Sequence, residues 1–314
     1  KTPTSVDEAK TALEANEDAQ ILAGGQTLIP VLKQRLAMPE ELVSLAGVDA
    51  LSGITIEGDT ITVKAMTRHA DVAASADIKS AIPALAKLAG GIGDPHVRNM
   101  GTIGGSIANN DPAADYPAAV LGLGATMVTD RREIAADNFF TGMFETALDA
   151  GEMITDVRFP VPEHAGYVKF PNPATRYALV AVMVAKFGSN VRVAVTGAGP
   201  CVFRVAEIEA ALASDFSADS IKDNLVPAAD LNSDIHASRD YRAHLIGVAR
   251  SFEEKVERKI VIAIDELYPE SALAPLFAAA FAADVAAQGR LLLLAADDHH
   301  DCSAAAHSTQ HTAH

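Results

Sequence analysis

The chain has 314 residues, 49% of them apolar and 21% charged, and a formal net charge of −16. That composition supports a sizeable core and two domains, or one large one with an appendage, and the acidic balance argues against nucleic acid or an anionic membrane as the main partner. Two cysteines, Cys201 and Cys302, without CxxC or Cys/His ligand spacing, exclude a disulfide framework and a zinc or iron–sulfur site built by this chain alone.

From the N-terminus, "TSVDEAKTALEAN" reads as a helix with Ser5 as N-cap and Glu8 at the capping-box position. "AQILAGG" reads as a buried strand entering a Gly-Gly turn, "TLIPVLKQRL" as a helix with Pro30 in its first turn, and "ELVSL" as a second short strand. "LSGITIEGDTITVKAMT" alternates around Gly58-Asp59, the pattern of a β-hairpin. "SAIPALAKLAGGIG" predicts one helix with a glycine stop, "AAVLGLGATMVT" a helix running into a strand, and "GEMITDVRFPVP" a strand closed by prolines. Residues 1–160 thus mix strands and helices without regular βαβ spacing, which predicts α+β rather than a doubly wound sheet. From residue 161, three antiparallel strands are expected, with a turn at Gly188-Ser189-Asn190. Helices follow at "RVAEIEAALA", "SADSIKDNLV" and "RDYRAHLIGVARSFEEKVERK", so residues 161–258 also read as α+β.

Residues 259–314 are Ala- and Leu-rich and hold five of the ten histidines. They read as an extension or solvated tail, with a metal site as the rival reading. The apolar run at residues 271–296 is interrupted by Asp284 and Arg290, so no membrane span is expected.

Two glycine segments stand out: "AGGQTL" (Ala23, Gly24, Gly25, Gln26, Thr27, Leu28) and "GTIGGS" (Gly101, Thr102, Ile103, Gly104, Gly105, Ser106). Glycine permits φ > 0 and close approach to the backbone, and successive N–H groups in such turns form an anion-binding concavity. A diphosphate is held this way without a basic field; Arg98 is the only cation nearby, and pairing with a carboxylate is its alternative use. The first segment also fits an ordinary tight turn. The second is more specific because "NNDPAADYP" follows. There Asp111 fits a helix N-cap and Pro112 the first helical position. Asp115, one turn in, is then placed either to accept bonds from ribose or ribityl hydroxyls or simply to answer the helix dipole, worth about 0.3–1 kcal/mol.

"LAGGQTLIPVLKQRLAMPEELVSL", "IGDPHVRNMGTIGGSIANNDPAADYPAAVLGLGA" and "FFTGMFETALDAGEMITDVRFP" resemble the FAD-binding medium subunit of molybdenum hydroxylases, the carbon monoxide dehydrogenase/xanthine dehydrogenase family. "KFPNPATRYALVAVMVAKF" and "LNSDIHASRDYRAHLIGVARS" resemble its C-terminal domain. The resemblance covers residues 3–255. It implies a p-cresol methylhydroxylase-type FAD-binding domain of two α+β subdomains (1–50 and 51–160), then a small α+β domain with a three-stranded sheet. It implies non-covalent FAD, a small partner subunit with two [2Fe-2S] clusters, a large subunit with the molybdenum cofactor, and an external acceptor such as NAD, dioxygen or a quinone. The expected location is cytoplasmic, or periplasmic within an exported complex.

By position, the resemblance implies that Ala23 to Ile29 wrap the FAD diphosphate from one side and Thr102 to Ser106 from the other, that Asp115 contacts the polar part of the cofactor, and that Gly101 and Asn109 are also cofactor-binding. It places Ile92 and Ile154 against FAD. Lys169 matches a lysine that steadies reduced, anionic flavin, or else is a strand-edge lysine in solvent. Tyr177 lies beside the isoalloxazine, or is a core tyrosine. No Ser/His/Asp or Cys/His triad is found, as expected where substrate oxidation occurs in a partner; His69, His96 and His236 read as structural. Two other readings stand: a self-contained FAD oxidase or dehydrogenase, and a flavin-free interaction subunit. "AGGQTL" lacks His and Cys, which excludes covalent flavin attachment there. The usual first strand before "PTS" is missing, and residues 259–314 match nothing in the family pattern.

Overall fold

The computed structural model describes residues 1–221 and 226–250, and the architecture is α+β. The N-terminal layer is α1 (Val6–Glu14), β1 (Ala19–Leu22), α2 (Leu28–Lys33) and β2 (Glu41–Ser44), with β1 and β2 parallel. Ser5 Oγ accepts the Glu8 N–H at 3.2 Å, as a capping box requires. The reciprocal bond is displaced by one residue: Glu8 accepts from the Thr4 backbone and hydroxyl, not from Ser5. Ala9, Leu13, Val43, Leu45, Leu51 and Met153 close a small core here.

The second layer holds β3 (Ile54–Glu57), β4 (Thr60–Lys64), α3 (His69–Ala74), α4 (Ala76–Ala81), α5 (Pro83–Gly90), α6 (Pro95–Met100), α7 (Ile103–Asn109), α8 (Tyr116–Gly122), β5 (Thr126–Thr129), β6 (Glu133–Ala135), the short pair β7 (Phe140–Gly142) and β8 (Glu145–Thr146), and β9 (Ile154–Pro160). The helix expected at residues 80–93 is broken: Pro83 cannot donate a backbone hydrogen bond, so it ends α4 and starts α5. The antiparallel sheet runs β3-β4-β9-β5-β6, so β9, last in sequence, fills the centre. Its alternate residues Val157 and Phe159 join Ile61, Val63, Met127 and Tyr116 in the main core.

The third layer is an antiparallel sheet of β10 (His164–Pro171), β11 (Ala178–Phe187), β12 (Asn190–Thr196) and β13 (Phe203–Arg204), covered by α9 (Ala206–Ser214) and α10 (Arg239–Arg250). Three strands are expected from sequence and four are present. The fourth is two residues long, too short to show alternation. Residues 219–221 form a single 3-10 turn; the rest of the helix expected at 217–226 falls largely on residues 222–225, outside the described residues, as do the end of the helix expected at 239–259 and the extension 259–314. Among the described residues, no helix is long and apolar enough to cross a membrane.

Candidate functional site

A cleft of about 890 Å³ opens where the three layers meet. Leu13, Ile21, Leu45 and Met153 line it from the N-terminal core, and Ile92, Asp111, Asp115 and Tyr177 line it from the other layers. The two glycine segments form its middle and they touch. A Cβ built on Gly24 would lie 2.1 Å from the Met100 carbonyl oxygen, and one on Gly105 would lie 3.4 Å from the Ala23 Cβ. Side-chain-free backbone is therefore required where strand β1 leaves its sheet and passes under the end of α6.

The segments differ in what they offer a ligand. At Ala23–Leu28 the chain turns through Gly25, at φ +70°, a conformation natural to glycine. Among the described residues, the N–H groups of Gly24, Gly25, Gln26, Thr27 and Leu28 donate to no group of the chain. Gly24, Gly25 and Leu28 are half-buried and Gln26 and Thr27 exposed, and five consecutive donors in a cleft wall form a ready anion-binding surface. "GTIGGS" is not a turn, contrary to expectation. It is the capped first turn of α7, with Thr102 as N-cap and its Oγ1 accepting the Gly105 N–H at 3.2 Å. Its donors are already taken up: Gly101 by Val97, Ile103 by Thr67, Gly104 by Ala65 and Ser106 by Thr102. Only the Thr102 N–H is left over among the described residues. The glycines here sit at ordinary negative φ and serve close packing, since a Cβ on Gly104 would lie 2.6 Å from the Ala65 Cβ. The second segment supplies shape and the first supplies donors.

The expected helix start at Asp111-Pro112 is also displaced. Asp111 Oδ1 accepts the Ala113 N–H at 2.9 Å in a local Asx turn, and the helix begins at Tyr116, with Pro117 in its first turn. Asp115 is thus the N-cap residue, but its side chain does not cap. It is 4% exposed and accepts hydrogen bonds from the Tyr167 hydroxyl and, at 2.9 Å, from Lys169 Nζ. Both oxygens are already bonded, so Asp115 lines the cleft as one face of a buried ion-pair group rather than as an open acceptor for hydroxyls. Burial raises its proton affinity above the ordinary carboxylate range, and Lys169 opposes that. Burial likewise holds the Tyr167 hydroxyl well above its usual range. Lys169 is neither solvent-facing nor on the cleft surface: its side chain is 10% exposed and also donates to the Gly91 carbonyl at 3.2 Å.

Of the other expected site residues, Ile92, Asn109, Ile154 and Tyr177 line the cleft, with Tyr177 half exposed rather than in the core. Ile103 is fully buried in the main core, and Ile29 is 40% exposed, with its Cδ1 2.6 Å from where a Gly25 Cβ would lie, rather than lining the cleft itself. Among the described residues Arg98 pairs with no carboxylate; its Nη1 donates to the Ile92 and Gly93 carbonyls at 3.0 and 3.1 Å, fixing the loop between α5 and α6.

Sequence reasoning missed three participants. Tyr167 shares the β10 face of Lys169 two residues on, a signal the alternation carries. Arg176, with φ +61°, lines the cleft from a loop closed by Asn172 and left no local trace. His69 lies 5% exposed behind Gly101, its ring 5.3 Å from that of Tyr116. Burial, assisted by Arg98, lowers its pKa to about 4, so it stands neutral at pH 7. Among the described residues, no group of three or more His, Cys, Asp or Glu is arranged to hold a metal.

A glycine-lined cleft with a run of free amides, set between α+β layers, suits a ligand with a diphosphate, the class to which dinucleotides belong. The model of the FAD-binding domain in molybdopterin dehydrogenase matches residues 1–162. The nicotine 6-hydroxylase medium subunit of Paenarthrobacter nicotinovorans is 35% identical over 273 residues, covering 82% of this chain and 94% of its own. The glyceraldehyde dehydrogenase medium chain of Sulfolobus acidocaldarius is 34% identical over 76% of this chain and 88% of its own. A carbon monoxide dehydrogenase structure from Hydrogenophaga pseudoflava superposes with a TM-score of 0.70 at 33% identity, over 80% of this chain and 93% of that one. The chain belongs to the family of FAD-binding medium subunits of the molybdenum hydroxylases, and is an oxidoreductase subunit with FAD as its cofactor.

Proposed function

We propose that this chain holds FAD non-covalently in the cleft and relays electrons from [2Fe-2S] clusters of a small partner subunit, through FAD, to an external acceptor such as NAD, dioxygen or a quinone. Substrate oxidation takes place at the molybdenum cofactor of a large partner subunit. The observation that carries the reading is the run of five free amides, Gly24 to Leu28, in the wall of the cleft that Thr102, with its own free amide, also lines. These groups fit a diphosphate, and the flanking apolar ends fit its two ring systems. When bound, flavin supplies exchange between one-electron and two-electron chemistry. The chain's own residues fix its place and exclude water: Ile92 and Ile154 give apolar contact, and the Asp115–Lys169 pair sets the local charge. A general base is not required of this chain.

The test is purification of the chain alone and with co-expressed partners. The isolated chain is expected to be yellow, to release FAD on heating, and to reduce artificial dyes without turning over a small organic substrate. Colourless protein that ignores added FAD defeats the cofactor placement. Robust turnover by the isolated chain defeats the subunit assignment in favour of a self-contained enzyme.

A further inference from the structure

We propose that Asp115, set between the cleft and Lys169, is a proton acceptor that couples reduction in the cleft to uptake of a second proton. The inference rests on the flavin reading above, taking the flavin ring to lie beside Tyr177 as the family resemblance implies. Among the three members of the buried group, only Asp115 lines the cleft; Tyr167 and Lys169 hold it from behind. The trio is neutral as built, with one carboxylate, one ammonium and one hydroxyl. Lys169 is therefore not a free cation toward the cleft, because its charge is answered by Asp115 at 2.9 Å.

Two electrons and one proton on oxidised flavin add one negative charge to the cleft. A like charge beside a buried carboxylate disfavours its ionised form. A second proton then comes from solvent to the Asp115 carboxylate, and the O–H bond formed leaves the Lys169 ammonium to balance the new charge. The sum is two electrons and two protons taken up, with the net charge of the pocket unchanged. The other titratable groups around Asp115 do not replace it. Tyr116 on α8, Tyr167 on β10 and Tyr177 just before β11 are neutral acids with raised pKa values. Asp111 also lines the cleft, with its Oδ1 accepting the Ala113 N–H, but among the described residues no cation pairs with it, so protonating it frees no ammonium to balance the new charge.

The experiment is redox titration of the flavin-loaded chain across pH, with infrared difference spectra. For wild type, the two-electron equilibrium should change a hundredfold per pH unit, about 60 mV, within the window where Asp115 titrates; Asp115→Asn should give tenfold, about 30 mV, throughout. The reduced-minus-oxidised infrared spectrum of wild type should gain a carboxylic-acid C=O band that shifts in deuterium oxide. Tyr167→Phe should keep that band and move it, since one hydrogen bond is lost; this arm decides the matter should Asp115→Asn fail to fold. Flavin bound with a one-proton slope in wild type and no such band overturns the inference while leaving the cofactor reading intact. Absence of bound flavin overturns both.

Discussion

At the residue scale, the decisive feature is missing side-chain volume. Gly24 has no room for a Cβ, because the Met100 carbonyl stands where one would go. Gly24→Ala should therefore part the two segments and reduce FAD content at least tenfold, read from flavin absorbance per protein after gel filtration. Gly104→Val should do the same by a different route, forcing α7 off Ala65. His69 illustrates a cost of burial. Its pKa falls from 6.5 in the unfolded chain to about 4 in the fold. The unfolded state then binds the proton more tightly, so stability is full above pH 6.5, declines as pH falls toward 4, and is constant below that. The total is about 3 kcal/mol. His69→Gln should flatten this part of the pH profile, measured by urea unfolding at pH 7 and pH 4.5.

At the element scale, single side chains tie segments that the sheets leave apart. Glu152 is 4% exposed and receives Thr129 Oγ1 at 2.7 Å, Arg132 at 2.8 Å and the Asp149 N–H at 2.8 Å. The Arg132 bonds, with the others, hold its pKa near 2. This network joins the β5–β6 turn to the loop that enters β9, which carries Met153 and Ile154 to the cleft. Arg132→Met should lower stability at pH 7, because it leaves the buried Glu152 carboxylate without its ion-pair partner. A thermal or urea melt at pH 7 measures it. Gly197, at φ +83°, has the Ala178 carbonyl 2.7 Å from its absent Cβ and accepts a hydrogen bond from the buried Arg242. Gly197→Ala should destabilise by about 2–4 kcal/mol.

At the scale of the whole molecule, the cleft is assembled from all three layers, and no one layer contains it. A ligand that binds only the folded chain raises stability with its concentration, by about 2.7 kcal/mol at a hundredfold excess over Kd. Added FAD should raise the melting temperature of the apoprotein progressively, and the increment should vanish in Gly24→Ala. A melting temperature that ignores FAD in both proteins would contradict the cleft as the binding site.

The α+β class, the hairpin at Gly58-Asp59, the Ser5 cap and the two glycine segments were legible because each is written in neighbouring residues: alternation, capping chemistry and backbone freedom act over a few positions. The same segments carried the family resemblance. Which glycine segment donates and which only makes room was not legible, since that depends on whether Thr67 and Ala65, more than 30 residues upstream, take up the α7 amides. The same is true of Asp115. Its sequence neighbours suggest an acceptor for ribose or ribityl hydroxyls or a helix-dipole partner, yet Tyr167 and Lys169 from β10 turn it into half of a buried ion pair. Local sequence sets the conformation and the chemical groups on offer; burial and hydrogen-bond partners come from strands brought together by a shared core, and only the tertiary structure decides those.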